Sequence, residues 1–199
     1  DALYRNAGGI AGISEGLISR CENDGKISTT VVIAQNHVGG IVGLVSGANA
    51  EVTTCINHAN VQGYYCVGGI AGAVKAGAEV HLSANYGDVK GNGIIGGVAG
   101  RVSTTGMYSN GSAKECAVYD VYNLGQVSGY GTTAGSEMGG IVGEAGYENW
   151  KQEALPPMPV IERAYSVPIS SGVNRNGGII WNGICHQFLR LRTECGGSH

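Results

Sequence analysis

Residues 39–43 read Gly39-Gly40-Ile41-Val42-Gly43, and the same five-letter phrase returns along the chain. It stands as Gly8-Gly9-Ile10-Ala11-Gly12, Gly68-Gly69-Ile70-Ala71-Gly72, Gly96-Gly97-Val98-Ala99-Gly100 and Gly139-Gly140-Ile141-Val142-Gly143, with a worn sixth copy at Gly177-Gly178-Ile179. The first glycines lie 31, 29, 28, 43 and 38 residues apart. Between them runs a second phrase: Cys21-Glu22-Asn23, Cys55-Ile56-Asn57, Ser83-Ala84-Asn85 and Val121-Tyr122-Asn123, each followed within four residues by Ile27, Val61, Val89 or Val127. A fifth, altered copy is Ala164-Tyr165-Ser166. Two phrases in strict alternation define a repeat protein.

The residue types choose the kind of repeat. Each unit is dense in Gly, Val, Ile, Thr and Tyr and broken by turn residues, which disfavours helix and suits short strands. About 28 residues is enough for one coil of several short strands. Stacked coils pair each strand in parallel with its copies, about 4.8 Å per coil. The expectation is all-β: a single parallel β-solenoid (β-helix) of five coils and a terminal strand over residues 1–184, with residues 185–199 as cap or linker.

Composition agrees. The 199 residues include 36 glycines, 43 % are hydrophobic and 14 % are charged, with a net charge of −3. Charge is scarce beside the roughly 25 % of an ordinary domain, while the apolar content is too high for a disordered tail. The glycines do not fall every third residue, so collagen is excluded. Twelve basic residues are spread thinly and leave no stripe for phosphates, so nucleic acid is not an expected partner. No apolar run reaches the roughly 18 residues of a transmembrane helix, so no membrane insertion is expected. The chain opens on Asp1-Ala2-Leu3-Tyr4 without an initiating Met, and a piece of a larger parent chain is expected.

Columns of the repeat suggest faces. With a two-residue period, Ile10, Ile41, Ile70 and Val98 point inward with Gly12, Gly43, Gly72 and Gly100. That places Ala11, Val42, Ala71 and Ala99 on a flat outer Ala/Val face, a candidate for self-association. Asn23, Asn57, Asn85 and Asn123 fit a structural ladder at a coil corner, each amide bonding turn backbone and the amide stacked on it. Gly25, Gly87 and Gly125, two residues on, suit a positive-φ turn position.

Taken together, the GGIAG, GGIVG and GGVAG strings with their C/S/V-x-N-x-G-x-V companions resemble the GLUG-motif repeat over roughly residues 5 to 183. That family occurs in large bacterial surface and secreted proteins, including regions accompanying immunoglobulin A1-specific metallopeptidases. The resemblance implies an extracellular or cell-surface location and a non-catalytic role. The peptidase zinc signature H-E-x-x-H does not occur in this sequence.

Candidate chemistry is sparse. Cys21 and Cys55 share a column with Ser83, Val121 and Ala164 and read as buried free thiols; Cys66 and Cys116 read as free, and Cys185 with Cys195 as a possible loop-closing pair. The spacing of Cys185, His186, Cys195 and His199 matches no zinc pattern. His37, His58 and His81 read as turn or surface residues. The glycine strings lack the Asp of calcium-binding nonapeptides. Asp24 and Asp88 do not converge, and no nucleophile–base pair or phosphate loop is recognisable. Neither metal, cofactor nor catalysis is expected.

Binding is better placed in the length variation. The fourth and fifth coils are lengthened by insertions over about 103–118 and 144–162, which must leave neighbouring coils side by side. Tyr108 lies in the first, and Tyr147, Asn149 and Trp150 in the second. Aromatic side chains of this kind suit a sugar ring or a protein contact. Two readings follow: a spacer or adhesive module of a larger bacterial surface or secreted protein, touching host glycan or glycoprotein, or a carbohydrate-binding or carbohydrate-active β-helix using the loop face near Tyr147 and Trp150.

Overall fold

In the computed structural model, described for residues 6–30, 36–105, 114–130, 136–148, 158–166, 175–177 and 180–183, the chain winds as a parallel β-solenoid. The first coil carries β1 (Asn6–Gly8), β2 (Ala11–Ser14), β3 (Leu17–Ser19), β4 (Glu22–Asn23) and β5 (Ile27–Ser28). The second carries β6 (His37–Gly39), β7 (Val42–Ser46), β8 (Glu51–Thr53), β9 (Ile56–Asn57) and β10 (Val61–Gln62). The third carries β11 (Cys66–Gly68), β12 (Ala71–Lys75), β13 (Glu79–His81), β14 (Ala84–Asn85) and β15 (Val89–Gly91). In the fourth, β16 (Ile94–Gly96) and β17 (Ala99–Thr105) lead to a long β18 (Ala117–Asn123) and β19 (Val127–Gly129). The fifth has β20 (Glu137–Gly139), β21 (Val142–Glu148) and β22 (Val160–Ser166), and β23 (Arg175–Gly177) with β24 (Ile180–Gly183) begins a sixth.

Equivalent strands stack in register into four parallel sheets. Sheet 1 runs β1-β6-β11-β16-β20-β23 and sheet 2 runs β2-β7-β12-β17-β21-β24. Sheet 3 gathers β3, β8, β13, β18 and β22 with β4, β9 and β14, and sheet 4 runs β5-β10-β15-β19. The Gly-Gly phrase sits where sheet 1 hands over to sheet 2.

Two cores fill the coil. Ile41, Val42 and Val45 of the second coil pack with Val52 and Cys55 across sheets 2 and 3, and the other coils repeat the pattern. Val38, Val67, Ile95 and Met138 of sheet 1 pack with Val61, Val89 and Val127 of sheet 4. Ile41, Ile70 and Ile141 are fully buried, each contributing about 2–3 kcal/mol of apolar transfer.

This arrangement corrects the expected faces. Val42, Ala71, Ala99 and Val142 have no exposed surface and belong to the core, so the flat outer Ala/Val face does not exist and cannot receive a second copy. Val42 and Val45, three residues apart, both enter the same core, so strict alternation fails at Gly43-Leu44. The glycine column instead faces sheet 1: a Cβ on Gly100 would stand 2.7 Å from the Val67 amide nitrogen. Only glycine allows the two sheets to come that close.

A second correction concerns Gly25, Gly87 and Gly125. Positive φ among the described glycines is found at Gly47 and Gly77, in the turns after β7 and β12, and not at this corner. Gly87 and Gly125 answer to stacking: a Cβ on Gly87 would overlap the Ala59 carbonyl, and one on Gly125 that of Gly87. Left-handed backbone at other residues is found at Ala76, beside Gly77, and away from these turns at Arg20, Thr54, Leu82, Asp120 and Arg163, with φ between 45° and 55°. The latter five follow the first segment of sheet 3 in each coil, forming a stacked column of αL residues.

The insertions are also shorter than expected. β17 and β21 run on in register to Thr104↔Tyr147 and Thr105↔Glu148, and the chain re-enters sheet 3 at Ala117↔Val160. Two adjacent lengthened coils satisfy each other's backbone, so the strands extend past the end at Lys75.

Candidate functional site

Two side-chain constellations organise the solenoid: a buried ladder at one corner and a charged, aromatic face on sheet 3.

The ladder is made by the asparagines. Asn23 Nδ2 donates to Asn57 Oδ1 at 2.8 Å, Asn57 Nδ2 to Asn85 Oδ1 at 2.7 Å, and Asn85 Nδ2 to Asn123 Oδ1 at 2.7 Å. The other amide proton of each goes to the carbonyl two residues on, at Gly25, Ala59, Gly87 and Gly125, over 2.7–3.0 Å. Every amide proton of the column is used. The ladder closes on Ser166 Oγ, which accepts from Asn123 Nδ2 at 3.4 Å. The second glycine of each Gly-Gly pair makes room for it: a Cβ on Gly40, Gly69 or Gly97 would overlap Asn57, Asn85 or Asn123 respectively. The two phrases of the sequence are thus two sides of one contact.

The face of sheet 3 near the insertions is built from β8, β13, β18 and β22. Because side chains alternate, Glu51, Glu79, Ala117 and Val160 form one outward row. Thr53, His81, Tyr119 and Glu162 form the next. His81 Nε2 meets Glu51 Oε1 at 2.6 Å, and its ring stacks on Tyr119 with centroids 4.7 Å apart. Tyr119 donates to Glu79 Oε2 at 3.1 Å, and Lys114 Nζ reaches Glu79 Oε1 at 2.6 Å. From the next coil, the Arg163 guanidinium lies 5.5 Å from the Tyr119 ring centre and pairs with Asp120 and Glu162. Between these groups is an open cleft of about 390 Å³ lined by Glu79, Lys114, Glu115, Tyr119, Glu162 and Arg163, among others.

Electrostatics follow from the pairing. The hydrogen bond from Lys114 holds the Glu79 carboxyl below its ordinary range, and the hydrogen bond from Arg163 does the same for Asp120. Burial, and then the neighbouring Glu79 carboxylate, push the Tyr119 phenol up to about 12. Both carboxylates are held ionised, as acceptors of ion pairs. Tyr119 has His81 from the preceding coil on one side and Arg163 from the following coil on the other, so its ring faces are occupied.

A second aromatic group lies further along the same sheet. Tyr86 stacks on His58 at 5.3 Å and meets Tyr122 edge-on, with the two hydroxyls 2.7 Å apart. Tyr165, beside Tyr122 in register, is largely exposed.

Of the residues singled out in the sequence, Tyr108, Asn149 and Trp150 lie outside the described residues, as does the C-terminal stretch 185–199. Tyr147 is placed by its backbone in β21 opposite Thr104, with its side chain outside the description. His37 and His81 are strand residues, not turn residues: His37 is buried in β6, with Nδ1 2.8 Å from Asn6 Oδ1. Cys21, Cys55, Cys66 and Cys116 carry free thiols, and burial raises those of Cys55 and Cys116. Among the described residues no cluster of His, Cys, Asp and Glu could hold a metal. Local spacing gives no signal for Glu51, Tyr119 and Arg163, or for the part His81 plays with them, because their relation depends on coil register. No family model, curated protein or solved structure matches this chain.

Proposed function

We propose that this solenoid is a non-catalytic extracellular repeat module, a spacer or adhesive segment of a larger bacterial surface or secreted protein. The observation that carries the reading is that polar groups on the sheet 3 face join one coil to the next. Glu51 of the second coil holds His81 of the third, Glu79 of the third holds Lys114 and Tyr119 of the fourth, and Asp120 of the fourth holds Arg163 of the fifth. Glu79 and Asp120, kept ionised by Lys114 and Arg163, are poor proton donors, whereas glycoside cleavage needs one carboxyl with a raised pKa. With the asparagine ladder, these links favour a stiff rod. Buried thiols, protonated by desolvation, suit a chain that meets oxidants. The resemblance to GLUG-motif repeats supports the surface location.

The second reading, carbohydrate recognition by Tyr108, Tyr147, Asn149 and Trp150, draws on one observation. Strands flanking both insertions are in register: the chain leaves sheet 2 at the neighbouring Thr105 and Glu148 and re-enters sheet 3 at the neighbouring Ala117 and Val160, which line the sheet 3 cleft. The test is to present the purified chain to a panel of glycans and host glycoproteins, beside a Tyr147→Ala/Trp150→Ala variant. A spacer gives no binding, and an adhesive module gives binding that the double variant loses. Release of reducing sugar from any polysaccharide would overturn the non-catalytic reading.

A further inference from the structure

Among the described residues the first coil is the edge of all four sheets: β1, β2, β3, β4 and β5 each have a neighbour on one side. Its core columns are open on the other. Ile10 is 45 % exposed, whereas Ile41, Ile70 and Ile141 in the same column are at 0 %. Ala7, Ile18 and Ile27 are half-buried, whereas Val38, Val52 and Val61 on the next coil are buried. Such an edge, with free backbone groups and apolar side chains and no proline to blunt it, is a template for strand pairing.

What fits the edge is stated by the rest of the molecule, where the same coil-to-coil contact recurs in register. The ladder adds polarity. Each Nδ2 points toward the next coil, so the stack ends at Asn23 with Oδ1 facing outward, bonded to the Gly25 amide but to no asparagine amide. Asn57, Asn85 and Asn123 each accept one from the preceding coil. Two copies meeting head to head would oppose acceptor to acceptor. A second copy stacked head to tail would bring Ser166 at its last described corner, whose hydroxyl has one proton where each asparagine of the ladder uses two, one for the next coil and one for its own corner carbonyl.

We infer that the exposed end of the first coil is a docking surface for one further coil of the same repeat, preceding this one in the parent chain and carrying a corner asparagine whose amide donates to Asn23 Oδ1. Connections from sheet 4 to sheet 1 take two residues between β15 and β16, three between β10 and β11, and eight between β5 and β6. Five residues, the length of 1–5, fall within this range of connections and reach at most about 18 Å, enough to join such a coil to β1. The inference rests on the reading of the chain as a module of a larger protein.

The test fuses a second copy of residues 37–62, spanning β6 to β10, directly before Asp1, and follows amide hydrogen exchange by mass spectrometry. Exchange in β1–β5 should slow at least tenfold, toward that of β6–β10, and Asn57→Ala in the added copy should return much of the effect around β4. Unchanged exchange in β1–β5, or lost protection in β6–β15 on extension, overturns the inference. So does a parent chain that already sediments as a dimer with β1–β5 protected, because a second copy would then be the occupant. Glycan turnover would sink the module reading but would not alter the exchange result, so the two failures are distinguishable.

Discussion

Two corners of the same coil solve the problem of turning in opposite ways. At the asparagine corner the sequence is nearly constant, the side chains are buried and every amide proton is bonded within the stack. At the left-handed corner the column reads Arg20, Thr54, Leu82, Asp120 and Arg163, with no two successive residues alike, and Leu82 is 57 % exposed. The first corner is held by side chains and therefore depends on their identity. The second is held by the backbone on either side, which imposes an αL conformation on whatever residue falls there. Constancy of sequence marks where side chains do the holding, and the backbone holds silently.

The largest expected effect breaks the first corner. Asn85→Ala removes bonds to Asn57, Asn123 and Gly87 at a site with no solvent access. It leaves a buried amide proton and two buried oxygens unpaired, for a loss of about 3–5 kcal/mol in urea unfolding. Asn23→Ala, at the open end with one asparagine neighbour, should cost about 1 kcal/mol. Equal losses at the two positions would mean that the ladder does not act as a stack. Gly69→Ala attacks the same contact from the other side, since its Cβ would overlap Asn85 and the Gly97 carbonyl; a loss of about 2–3 kcal/mol is expected.

That shared contact explains how far the fold was legible. Gly69 and Asn85 recur in each coil because each is shaped by the other, so both phrases stand out in the sequence and specify a stack of coils. The orientation of the glycine strand was not legible. Val42 and Val45 both enter the core across the Gly43-Leu44 step, and a rule of alternation places one of them wrongly. The αL column was illegible for the reason just given: of its five residues only Asp120 belongs to the types that announce φ > 0. The sheet 3 face was illegible for a third reason. Glu51 and His81 are 30 residues apart, Tyr119 and Glu79 are 40, and Arg163 and Asp120 are 43, so the pairs exist only once register is known.

A smaller effect sharpens the second corner. Because Leu82 is held at φ 48° with its side chain in solvent, Leu82→Gly removes αL strain and gives up little packing. Against the extra backbone entropy of glycine in the unfolded chain, the balance is a gain of about 0.5–1 kcal/mol. Leu82→Val, with a branched Cβ in the same conformation, should lose about 1 kcal/mol. If both substitutions are neutral in thermal and urea unfolding, the column is not strained and the contrast between the corners weakens.

The smallest effect lies beside that corner and is read through pH. Tyr119 ionises near 12 in the folded chain, against an ordinary 10, because burial and the Glu79 carboxylate disfavour the phenolate. A group whose folded pKa is raised lends stability that is complete below the unfolded value and lost as pH climbs through the folded one. Unfolding should therefore become easier between about pH 10 and 12. Solvent around a half-exposed ring reduces the contribution to about 0.5–1 kcal/mol. Tyr119→Phe should flatten this alkaline limb relative to the parent. The acid limb should respond to a different residue. Glu79, held below its ordinary value by Lys114, lends stability that is present above the unfolded pKa near 4.5 and lost as pH falls through the lower folded value. Glu79→Gln should flatten the acid limb, and because Glu79 is also one cause of the Tyr119 shift it should soften the alkaline limb in part. An alkaline limb unmoved by Glu79→Gln would mean that Glu79 has no part in raising Tyr119, and that the charges on this face link neighbouring coils pair by pair and not as a network.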